Sequence, residues 1–167
     1  MSSQKEKIIL SVWVEDRAGV LGHVAQLFGE RNCNIESLAV GPTEKPGISR
    51  MTIILDGSQK DASAVISQLN RITSLIQIKQ INLDESVQME LAMIQVDAPD
   101  EKRTDLINLV NVFRARIVDV ATHTMTIAIA GNAVKIDALI DLLRSFGVGE
   151  IVRTGTIAMD RGRKLFD

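Results

Sequence analysis

The run ILSVWVEDRAGVLGHVAQLFGERNCNIESLAVGPTEKPGISRMT, residues 9–52, organises the rest of the chain. It opens as an apolar strand (Ile9, Leu10, Val12, Val14), breaks at Glu15-Asp16-Arg17-Ala18-Gly19 and continues as an amphipathic helix. In that helix Val20, Leu21, Val24, Ala25 and Phe28 recur at the spacing of a core-facing stripe. A second strand, Cys33–Val40, follows at once, and a loop containing Pro46-Gly47 leads into a third, Ser49–Leu55. The turn at Asp16–Leu21 is the centre of the stretch. A helix that starts there leaves its first N–H groups unpaired, with the positive end of the helix dipole behind them. A small carboxylate suits that place.

Outward from this run the pattern completes itself and then repeats. A helix over Gln59–Arg71 carries Ala62, Val65, Ile66 and Leu69 on one face, and Leu75–Ile81 is a fourth strand with Ile76 and Ile78 inward. After the acidic linker Asp84-Glu85-Ser86 comes a strand, Met89–Val96. Pro99-Asp100 then opens a helix with Leu106, Leu109, Val110 and Phe113 on its face. Two strands follow, Arg116–Ala121 and Thr124–Ala130. A helix with Ile136, Leu139, Ile140 and Leu143 and a last strand, Ile151–Ala158, end the series. The order βαββαβ therefore occurs twice. It predicts an α+β chain of two ferredoxin-like units in tandem, each an antiparallel sheet with helices on one face. The expected division is a disordered terminus 1–7, a first domain 8–83, a linker 84–88, a second domain 89–160 and a basic tail 161–167. The second strand falls at a sheet edge, and Cys33–Val40 has neither Pro nor Lys to blunt it. Pairing with its own copy across a two-fold axis is the expectation, giving a homodimer.

The totals narrow the function. At 46% hydrophobic residues, the 167-residue chain can bury a core. A formal net charge of −2 gives no electrostatic reason for nucleic acid, and 3% aromatics, with no Tyr, leaves little for base stacking. No apolar run reaches the length of a membrane span, and no signal-peptide core follows Met1–Lys7, so a cytoplasmic protein is expected. The single Cys33 excludes a disulfide framework within one chain and has no local base to make it a nucleophile. His23 and His123 lack a second imidazole at ligand spacing. Met51, Met89, Met93, Met125 and Met159 read as core filling. No phosphate loop, catalytic carboxylate pair or serine elbow is present, so no catalytic or metal residue is assigned.

Two positions remain as a candidate binding site. Gly19 allows close backbone approach, and the amides of Gly19, Val20 and Leu21 can hold a carboxylate, although a plain strand-to-helix turn with Asp16 as N-cap has the same sequence. Asn34 sits early in a strand, where Asn is disfavoured unless it finishes a turn or its carboxamide has a partner.

These same residues carry a resemblance. Asp16-Arg17-Ala18-Gly19-Val20-Leu21, then Asn34-Ile35-Glu36-Ser37-Leu38, then Ser49-Arg50-Met51-Thr52 resemble the small regulatory subunits of acetolactate (acetohydroxyacid) synthase, over nearly the whole chain. The Gly-Val-Leu turn alone would point only to an ACT domain, a module common among amino-acid sensors that regulate other enzymes. The resemblance implies a first ACT domain and a second ACT-like domain in a homodimer. It implies a non-catalytic chain that activates a catalytic large subunit and confers feedback inhibition by valine in branched-chain amino-acid biosynthesis. Thiamine diphosphate, magnesium and FAD are then expected on the large subunit and no cofactor on this chain. Carried over, the effector contacts are Asp16, Gly19, Val20 and Leu21 of one chain with Asn34 and Ile35 of the other. The family commonly has Gly and an aromatic where this chain has Asn32-Cys33, and often Asn at position 16.

Two other classes fit less well. A stand-alone enzyme lacks any convergent acid, base or nucleophile. An RNA-binding module of the same topology lacks its stacking aromatics, with Trp13 the only aromatic on the first and third strands.

Overall fold

A computed structural model describes residues 6–30 and 34–162. The chain falls into two compact units: residues up to Val87 together with those from Thr156 on, and Gln88–Gly155. Lys7, expected within the terminus 1–7, already belongs to the first strand, β1, which starts at Glu6; residues 1–5 lie outside the described residues. Asn32, Cys33 and the part of the expected basic tail from position 163 on lie outside the described residues.

The first unit contains β1 (Glu6–Glu15), α1 (Val20–Glu30), β2 (Ile35–Pro42), β3 (Ile48–Gly57), α2 (Gln59–Leu69) and β4 (Leu75–Ile81). Its sheet order is β2-β3-β1-β4, with each neighbouring pair antiparallel. Alternate residues of β1 (Ile8, Leu10, Val12, Val14) and β3 (Met51, Ile53, Leu55) join Val20, Val24 and Phe28 of α1 and Ala62, Val65 and Leu69 of α2 in one core. Helix α2 is started by a capping box in which Ser58 and Asp61 satisfy each other's backbone amides.

Two details depart from the periodicity. On α1 the buried stripe is Val20, Val24 and Phe28, while Ala25 is exposed and Leu21 is 44% exposed. On β4 a bulge shifts the register, so that Val14 pairs Leu75 where Trp13 pairs Gln77. Leu75 therefore takes the core place expected of Ile76, which is exposed.

The helix-free face of this sheet is covered from the far end of the sequence. The expected last strand, Ile151–Ala158, is instead two. β8 (Val148–Arg153) stays in the second unit, and β9 (Ile157–Asp160) belongs to the first, beyond the expected domain boundary. Turning at Thr154-Gly155-Thr156, the chain sends the Thr156 N–H to Ser37 Oγ (2.9 Å). Ala158 packs with Ile9, Ile54 and Ile81. Its carbonyl accepts from the Arg50 guanidinium at 2.7 Å, and Asp160 pairs with Lys79. Arg50 also donates to the buried Ser11 hydroxyl at 2.9 Å and lies 4.6 Å from the Trp13 ring centroid. Burial lowers the Arg50 pKa against the pull of Asp160 and Glu44.

The second unit repeats the pattern with β5 (Ser86–Asp97), α3 (Arg103–Val112), β6 (Arg116–Val120), β7 (Thr124–Gly131), α4 (Ala133–Leu143) and β8. Its strand order is β6-β7-β5-β8. Ala92, Ile94, Val96, Ile127 and Ile129 meet Leu106, Val110, Ile136, Leu139, Ile140 and Leu143. Of the methionines expected in cores, Met51 and Met125 are buried, whereas Met89, Met93 and Met159 are exposed. Met89 and Met93 alternate with the buried β5 positions, on the side away from α3 and α4.

One buried ion pair ties the ends of β5 and β8. The Glu90 side chain, 5% exposed, binds the Arg153 guanidinium, which also reaches Asp137 at the start of α4 (2.7 Å). Burial pulls the Arg153 pKa down, but its bonds to Glu90 and Asp137 outweigh this and leave it raised. Arg153→Met removes the guanidinium from the buried Glu90 carboxylate and is expected to cost about 3 kcal/mol, the lower end for a broken buried pair because Arg153 is partly exposed. Adding Glu90→Gln should recover most of that loss. Thermal denaturation of the three variants checks it, and equal Tm for Arg153→Met and the parent would refute it.

Candidate functional site

The Asp16–Leu21 turn is tied down by its backbone. The Glu15 N–H donates to Ser74 O and the Asp16 N–H to Gly47 O, both at 2.9 Å. Gly19 stands immediately before α1 with φ +86°, a conformation that side chains with a Cβ rarely adopt. Its carbonyl accepts the first helical bond from His23 (3.0 Å), which makes Gly19 the N-cap and corrects the reading of Asp16 in that role. Asp16 lies three residues earlier and is exposed. A glycine cap has no side-chain acceptor, so the amides of Leu21 and Gly22 have no partner within the helix. The Val20 N–H turns back to Arg17 O at 3.4 Å. Space around Gly19 is open, with nothing within 4 Å of a Cβ built there. Val20 is buried in the core, while Leu21 offers an exposed apolar side chain beside the free amides.

Asn34 and Ile35 are at the other end of the sheet. Asn34 is exposed just before β2, and Ile35 is half-buried against the first core. Ile35 pairs Leu55, which pairs Ile8, whereas the turn leaves the sheet after Glu15. That is about seven residues of strand, or roughly 23 Å. Within one chain, Asn34 and Gly19 are not brought together.

The second unit builds its equivalent turn from the same bonds, Asp97 N–H to Gly147 O and Ala98 N–H to His123 O, both 2.8 Å. There, however, the Arg103 guanidinium fills the loop. It donates to the carbonyls of Ala98 (3.0 Å), Ala121 (2.9 Å) and Thr122 (2.6 Å). Only the first unit leaves its turn open. Nothing in the spacing of Arg103 announced this role, nor that of Arg50, since both depend on carbonyls distant in sequence. His23 and His123 are both exposed. Among the described residues no group of three His, Cys, Asp or Glu side chains is placed to hold a metal ion, and no helix is long and apolar enough to cross a membrane.

Comparison with known proteins bears on both units. A family model described as an AHAS small subunit-like ACT domain matches residues 10–77, and one described as the small subunit of acetolactate synthase matches 89–162. A probable acetolactate synthase small subunit of Archaeoglobus fulgidus is 47% identical over 95% of this chain and 99% of its own. The acetolactate synthase small subunit of Mycolicibacterium smegmatis is 41% identical over 97% of this chain and 95% of its own. The crystal structure of the acetolactate synthase small subunit from Thermotoga maritima superposes with a TM-score of 0.89 at 34% identity, covering 95% of this chain and 99% of that one. With both units matched in order and the relatives covered nearly end to end, this chain belongs to the family of acetolactate synthase small subunits, regulatory chains with an ACT domain.

Proposed function

We propose that the chain is a non-catalytic regulator that activates a catalytic acetolactate synthase large subunit and confers on it feedback inhibition by a branched-chain amino acid, with valine as the effector. In this reading it serves branched-chain amino-acid biosynthesis in the cytoplasm and carries no cofactor. Thiamine diphosphate, magnesium and FAD reside on the large subunit. The effector carboxylate sits on the open N-terminus of α1, at Gly19, Val20 and Leu21 beside Asp16. The exposed Leu21 side chain meets its branched apolar group.

The observation that carries this reading is the open glycine cap combined with the strand register. β2 and β1 both run antiparallel to β3 and so run parallel to each other. A copy of β2 paired antiparallel across a two-fold axis would reverse that direction. The partner's Asn34 would then stand near the Pro42 end, level with the turn, with Ile35 of the partner behind it. A bulge between Ile35 and Ser37 and Pro42 at the end limit the pairable edge to about Ser37–Gly41. The plugged turn of the second unit supports a site in the first.

Calorimetry of the chain with valine, leucine and isoleucine in turn tests the reading directly. Asn34→Ala removes hydrogen bonds to a charged group, each worth about 1.5–3 kcal/mol, so valine affinity should fall roughly ten-fold or more. Activation of the large subunit should persist. Full valine inhibition in this variant would remove Asn34 from the site, and a monomeric mass in sedimentation would remove the two-chain geometry.

A further inference from the structure

On the second unit, the C-terminus of α3 and the first turn of α4 enclose a shallow groove of about 330 Å³ lined by Val112, Phe113, Arg114 and Lys135. Val112 and Val134, 78% and 77% exposed, are the most exposed large hydrophobic residues described. They adjoin it in sequence, Val112 at the end of α3 and Val134 beside Lys135. Neither Arg114 nor Lys135 has an ion-pair partner among the described residues, although the chain as a whole is net negative.

Arg114 is also out of place by backbone criteria. Helix α3 ends with the Ala115 N–H on Val110 O (2.9 Å) and the Arg114 N–H on Asn111 O (3.0 Å), a Schellman closure with Arg114 at the left-handed position. At φ +54° it is the sole non-glycine residue with positive φ among those described. Glycine would close the helix there without strain. A long cation kept in such a place, beside a second unpaired cation and bare apolar side chains, points outward to a ligand.

Resting on the proposed role as regulator of a large subunit, we infer that this groove docks an acidic segment of that subunit, anchored by an apolar side chain between Val112 and Phe113. The free cations supply the charge complementarity. The groove is too open to enclose a small metabolite, and its apolar rim suits a protein surface whose contact dries it.

Arg114→Gly, Lys135→Glu and the double variant test the groove, with affinity for the purified large subunit measured at low and high salt. Arg114→Gly should hold or raise Tm, because it relieves the left-handed strain, yet weaken the complex about three- to ten-fold. The double variant should weaken it by about ten- to a hundred-fold at low salt, with the difference shrinking at high salt. Valine binding should be unchanged in all three. Equal affinity of parent and double variant, in a parent that binds, overturns the groove and leaves the regulatory role standing. A change in the chain's own mass, with large-subunit affinity kept, would make the occupant a second copy and likewise overturn it. A parent that fails to bind the large subunit overturns the regulatory role and the groove together.

Discussion

Gly19→Asp is expected to abolish valine inhibition while activation of the large subunit survives. The fold should tolerate the change. A Cβ at this position meets nothing within 4 Å, so the penalty is the left-handed φ of +86° alone. Asp is among the residues that accept that region best, and at an N-cap its carboxylate bonds the free amides of the first turn. That second effect is what removes the ligand. The new carboxylate occupies the amides that the effector needs and repels the effector's own charge. Two like charges 4 Å apart oppose each other by about 4 kcal/mol at an effective dielectric of 20. Affinity should therefore fall by nearly three orders of magnitude. Gly19→Ala separates the two causes, since it brings the strain without the charge and should weaken binding far less. Calorimetric titration with valine, alongside large-subunit activity with and without valine, checks both variants. If Gly19→Asp binds valine like the parent, the carboxylate does not sit at α1.

A fragment ending at Asp84 is expected to fold less stably than the first unit in the whole chain, despite containing a complete βαββαβ pattern. It lacks Thr156–Asp160, so Ile9, Ile54 and Ile81 lose the cover of Ala158, and Lys79 loses Asp160. If each isoleucine regains about 50 Å² of exposure, the loss is roughly 4 kcal/mol at 25 cal/mol per Å². The charged hydrogen bond from Arg50 to the Ala158 carbonyl adds about 1.5–3 kcal/mol. For a domain of this size, Tm should drop by about 15 °C or more. A peptide spanning residues 154–162, added in excess, should restore part of the difference. A fragment as stable as the whole chain, with no response to the peptide, would show that β9 contributes nothing to the first sheet.

Local signals in the chain suffice for the doubled βαββαβ order and for the turn before α1, and they put Val20, Val24 and Phe28, though not Leu21 or Ala25, on the core face of that helix. Side chains alternate along a strand and recur every three to four residues along a helix, and Gly19 marks where the backbone must turn. The remaining features depend on groups far apart in the chain. The bulge on β4 exchanged Ile76 for Leu75 because a one-residue slip inverts a strand's faces without altering its composition. The return of residues 156–160 to the first unit appeared in the sequence as the end of one long strand, Ile151–Ala158. Its partners Ser37, Arg50 and Lys79 lie some 80–120 residues earlier, and no periodicity reaches that far. The two turns differ for the same reason. Both have strand-to-helix sequences, but Arg103 closes the second by binding carbonyls on two separate loops, and only the folded chain brings those loops to it.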